Sequence, residues 1–82
     1  SIDGQMAMSM NALGLDWQKY DGSINSVFQY VKDVQNAIKK QNLDAATTKM
    51  HLANLGLGNA DWFYALQKGD FDLSKSKQRF YF

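Results

Sequence analysis

His51 is the one histidine of the chain, and the only side chain whose unperturbed pKa places proton transfer near neutral pH. Acid–base or nucleophilic chemistry would have to run through it. It stands between Met50 and Leu52 at the edge of an apolar helical face, the setting of a partly exposed structural histidine rather than of a base. The absence of cysteine removes thiolate catalysis, disulfide staples and sulfur-bound zinc. One histidine without a tight aspartate cluster leaves no four-ligand metal set. Asp70 and Asp72 bring two carboxylates together, but with no glutamate and no ladder of calcium ligands they read as solvated turn residues. Gly56-Leu57-Gly58 follows a helix rather than a strand and lacks the third glycine and the lysine of a phosphate loop, so it reads as a helix cap. No cofactor is implied, and the chain reads as a non-enzyme.

Rings are what the chain has in excess. Its 2 Trp, 4 Tyr and 5 Phe include the consecutive triplets Trp62-Phe63-Tyr64 and Phe80-Tyr81-Phe82. Three adjacent helical residues span about 200° of the circumference, more than one face buries. Phe63 and Leu66 are assigned to the core. Trp62, Tyr64, Phe80, Tyr81 and Phe82 are candidate partner contacts, because tryptophan and tyrosine suit surfaces that are apolar at one end and wet at the other. Lys75, Lys77 and Arg79 lie in the basic run before the last triplet and belong to the same candidate surface.

The elements that must carry these side chains are set by periodicity and punctuation. Ile24, Val27, Phe28, Val31, Val34 and Ile38 form the clearest apolar stripe, predicting a helix from Ile24 to about Gln41. Ser23 is placed as its N-cap after the stop at Asp21-Gly22, and Lys39 and Lys40 complement its dipole at the far end. Met6, Met10, Leu13 and Trp17 predict an earlier helix over residues 5–20, weakened at Gly14. Met8 falls off that stripe and is expected to be exposed. Asp44 is the predicted N-cap of a third helix over about 45–55, presenting Ala46, Met50 and Ala53 on one side, with Leu52 and Leu55 close by. A short fourth helix is predicted from Asn59 or Asp61 through Leu66, closed by Gly69. The sequence divides into a helical domain over 1–73 and a basic aromatic tail over 74–82, extended or disordered until bound.

Residues 52–69, a helix ending in Leu55-Gly56-Leu57, a turn, and a second helix with Trp62, Phe63 and Leu66, resemble the helix-turn-helix of Cro- and repressor-type proteins. That resemblance implies a small DNA-binding regulator whose second helix reads base edges. The chain departs from the pattern in carrying Asp61 and no basic residue there before Lys68. Phosphate contacts would fall to Lys75, Lys77 and Arg79.

Composition sets the frame. With 82 residues, 45% apolar and 21% charged, the chain is one small domain whose core alone gives modest stability. Proline is absent, so nothing interrupts helix by lacking an N–H, and the fold class predicted is all-α, a bundle of three to four short helices. All 8 acidic residues are aspartate, a residue that prefers helix caps to helix faces. A net charge of +1 exerts no general pull on nucleic acid or anionic lipid. No apolar run approaches the ~20 residues of a membrane span, and the start lacks a signal-peptide pattern, so a soluble chain is expected. The functional expectation is a protein-interaction module binding another protein or itself. A wealth of Asn, Gln and Ser without Cys or Pro suits a subunit or accessory of a bacterial assembly, and the DNA-binding regulator is the alternative.

Overall fold

The structure, a computed structural model, describes residues 3–58. These are helical, with no strand among them: α1 (Gly4–Leu13), a 3₁₀ turn (Trp17–Lys19), α2 (Ile24–Gln41) and α3 (Ala45–Asn54). The expected all-α class is what the described residues adopt.

Each start is set by a short side chain. The Asp3 carboxylate accepts from Met6 N–H at 2.8 Å, Ser23 Oγ from Ser26 N–H at 3.3 Å and the Asp44 carboxylate from Thr47 N–H at 2.7 Å. Asp16 does the same for the 3₁₀ turn. The aspartates thus act as punctuation, satisfying N–H groups that a helix leaves without internal partners.

The three ends are built alike. Gly14 (φ 71), Asn42 (φ 51) and Gly56 (φ 75) each turn left-handed just past a helix. The next residue then donates back to a carbonyl five positions earlier: Leu15 to Met10, Leu43 to Ile38 and Leu57 to Leu52. This is the Schellman arrangement, and its usual apolar partnership is present every time. Met10, Ile38 and Leu52 belong to the core, Leu57 joins them, and Leu15 and Leu43 pack against it. Helix termination and core formation are therefore one event, because the leucine that closes the cap also buries itself.

Two expectations do not hold. The first helix stops at Leu13 instead of reaching Tyr20, since Gly14 ends it rather than weakening it. Trp17 consequently leaves the stripe and stands 54% exposed. On α3 the expected face of Ala46, Met50 and Ala53 points outward, and the leucines read as lying close to it, Leu52 and Leu55, are buried with Thr48 and His51 instead. Two leucines gain more on leaving water than two alanines and a methionine, and His51 on their face finds a partner in Ser9. The second helix matches its predicted bounds and Ser23 cap, with Val31, Val34 and Ile38 buried and Val27 and Phe28 partly so.

Candidate docking groove

His51 is buried rather than partly exposed, and it is not alone. Its Nδ1 lies 2.7 Å from Ser9 Oγ, and Asn54 Nδ2 donates to the same hydroxyl at 2.8 Å. Ser9 comes from α1, and His51 and Asn54 come from one face of α3. A hydroxyl has one proton and two lone pairs, so Ser9 serves both neighbours without conflict. The Ser–His distance is that of a nucleophile and its base. Ser9 has no exposed surface, however, so its oxygen presents nothing to a substrate. The arrangement works as a polar clasp between α1 and α3.

A concave surface lies elsewhere among the described residues. Met6 and Met10 from α1, Trp17 and Tyr20 from the 3₁₀ turn and its exit, and Val27 and Tyr30 from α2 line a groove of ≈ 890 Å³. Residues 53–56, at the end of α3, form another part of its wall, and Asp3, Gly22 and Ser26 also line it. Local sequence explains each placement. Met6 and Met10 are one turn apart, as are Val27 and Tyr30, while the left-handed Gly14 and the Asp16 cap rotate Trp17 away from the core and onto the rim.

The two tyrosines hold the groove floor. Their rings meet edge to face, with centroids 5.0 Å apart at 61°. Tyr20 Oη donates to Asp33 Oδ2 at 2.7 Å, and Gln29 Nε2 steadies the other carboxylate oxygen at 2.8 Å. Tyr30 Oη donates to the carbonyl of Leu55 at 3.3 Å, tying α2 to the end of α3. Burial, then the bond to Asp33 and its negative charge, push the Tyr20 hydroxyl well above the usual phenol pKa. Burial alone does so for Tyr30. Both remain neutral donors through the physiological range.

Among the described residues no group of three or more His, Cys, Asp or Glu could hold a metal ion. No helix among them is long and apolar enough to cross a membrane. Met8, 52% exposed, stands off the apolar stripe as expected.

The sequence-predicted contact residues Trp62, Tyr64, Lys75, Lys77, Arg79, Phe80, Tyr81 and Phe82 lie outside the described residues. So do the predicted fourth helix and the second half of the helix-turn-helix-like segment. What sequence reasoning misses is the groove itself, whose signal is present in Leu13-Gly14-Leu15. Those three residues repeat the pattern of Leu55-Gly56-Leu57, which reads as a cap. Compared with protein-family models, curated proteins and solved structures, the chain matches none.

Proposed function

We propose that the domain is a non-enzymatic protein-interaction module that receives an apolar segment of a partner protein, or of a second copy, in the groove between its helices. The observation that carries this reading is a concavity of ≈ 890 Å³ lined by methionine, tryptophan, tyrosine and valine, with Trp17 54% exposed at its edge. Methionine and aromatic side chains adapt to varied apolar partners and recur where one protein seats another. The hydroxyl of Ser26 and the carboxylate of Asp3, which also line the groove, would orient what binds. A place in a bacterial assembly fits the composition and would make the partner a neighbouring subunit.

Val27→Arg tests the reading, since it puts a charge into the groove wall. Sedimentation over a concentration range, with co-purification of partner chains, should show complexes formed by the wild type and lost from the folded variant. A Val27→Arg protein that is folded and keeps every association overturns the reading. A DNA-binding regulator would instead show DNA affinity falling steeply with added salt, whereas an interaction module shows no measurable affinity of that kind.

A further inference from the structure

The charges of the described residues balance in number, five aspartates against five lysines, but not in place. Asp3 lines the groove. Asp16 precedes Trp17, and Asp21 lies between Tyr20 and Gly22, so both adjoin lining residues in the chain. Asp33 accepts from the Tyr20 hydroxyl on the groove floor at 2.7 Å. Burial and Asp33 do most to raise the pKa of that hydroxyl, and the charge of Asp16 adds to them, so the aspartate beside Trp17 is felt inside the groove. Two lysines stand near, Lys19 beside Tyr20 and Lys49 one helical turn before Ala53. The other three point or lie away. Lys32 is about 140–200° around α2 from Val27 and Tyr30, and Lys39 and Lys40 are roughly 18–20 Å further along that helix than Val27.

The carboxylates at the mouth keep acceptor capacity. Asp3 caps α1 through Oδ1 and Asp16 caps the 3₁₀ turn through Oδ1, and each has a second oxygen for another donor. Trp17 stands 54% exposed next to Asp16, and an indole takes a cation over its face. The same charge pattern disfavours pairing of two copies groove to groove, since a two-fold interface would set one acidic rim against another.

Resting on the docking reading, we infer that the groove receives an apolar segment of another protein that carries lysine or arginine beside its buried side chains. The apolar side chains enter between Met6, Met10 and Val27. The cations settle at the rim, against Asp3 and Asp16 and over Trp17.

Two labelled synthetic peptides test this on the full chain by fluorescence anisotropy: a short amphipathic peptide of leucine and lysine, and its twin with glutamate for every lysine. The lysine peptide should bind about tenfold more tightly than the twin. That preference should shrink several-fold between about 0.1 and 1 M salt, as the screening length falls from about 10 to 3 Å. Val27→Gln, which makes the wall polar without adding charge, should abolish binding. The double variant Asp3→Asn and Asp16→Asn keeps a capping oxygen at both sites, so circular dichroism should show its helices intact. It should lose several-fold in affinity for the lysine peptide and none for the twin. An unchanged preference in the double variant overturns the inference. Equal affinity for the two peptides, both lost in Val27→Gln, overturns it and keeps the docking reading. A lysine preference undiminished by Val27→Gln places binding outside the groove and sinks both. Binding of neither peptide, with self-association that Val27→Arg abolishes, makes a second copy the occupant and overturns the inference alone.

Discussion

Ser9 has no exposed surface, yet its hydroxyl makes two of the bonds that join α1 to α3. Ser9→Ala strands a ring nitrogen and an amide donor, and should destabilise the domain by about 1–3 kcal/mol in urea unfolding. Nothing local in the sequence announces this pairing, since Ser9 and His51 are 42 positions apart and an apolar stripe records only apolar residues. Gln35 is the opposite case. It is 8% exposed, and its Nε2 has no hydrogen-bond partner. Replacing it with methionine keeps the length and removes the stranded donor, so Gln35→Met should raise the thermal midpoint measured by circular dichroism. A lower midpoint would mean that the amide has an acceptor. Tyr30, buried, and Tyr20, partly so, predict an alkaline limit. Their folded-state pKa values are raised, so below the ordinary value near 10 both folded and unfolded chains hold the phenolic protons. Above it the unfolded chain releases them first, and stability should fall as pH climbs towards the folded values. Absorbance at 295 nm should show Tyr20 and Tyr30 ionising only as the helices melt.

At the scale of the element, the repeated Schellman end explains both what the sequence discloses and what it conceals. Ser23, Asp44 and the α2 stripe are legible because caps and 3.6-residue periodicity are local signals. The end of α1 is not, because Met6, Met10, Leu13 and Trp17 keep perfect helical spacing across a glycine that breaks the helix. Spacing alone cannot register a positive φ. On α3 the stripe fails because ten residues offer two competing weak faces, and the choice lies with Ser9 on another helix. Gly14→Ala and Gly56→Ala force a side chain into left-handed backbone and should each cost about 1–2 kcal/mol. Asn42→Gly should cost almost nothing, since that site already tolerates the geometry. A series in which all three behave alike would refute the common cap. The N-caps carry an acid dependence. Bonds from Thr47 N–H hold the Asp44 carboxyl below its ordinary pKa, and bonds from Ser23 do so for Asp21. A depressed folded value gives stability that is complete above the ordinary carboxylate pKa and lost as pH falls through the folded one. Helix content should therefore decline in acid, and Asp44→Asn, which keeps a capping oxygen without the charge, should flatten that decline.

For the molecule as a whole, size decides how these increments matter. At about 0.05–0.15 kcal/mol per residue, a domain of this length has roughly 4–12 kcal/mol of total stability, with no disulfide to add to it. Leu52→Ala, at a fully enclosed core position, should remove about 2–5 kcal/mol and leave much of the population unfolded at 37 °C. In so small a body, a partner seated in a groove that reaches all three helices should contribute stability. A partner that binds only the folded state adds about 2.7 kcal/mol at one hundred times its dissociation constant. For a domain of this length that corresponds to a rise of roughly 10–20 °C in the midpoint. Val27→Arg should abolish the rise, because it blocks the groove wall. Met8→Ala should preserve it, because Met8 stands off the stripe of α1 that supplies Met6 and Met10. Equal shifts in the two variants would mean that partners bind another face, and that the apolar lining serves only to complete this chain's own fold.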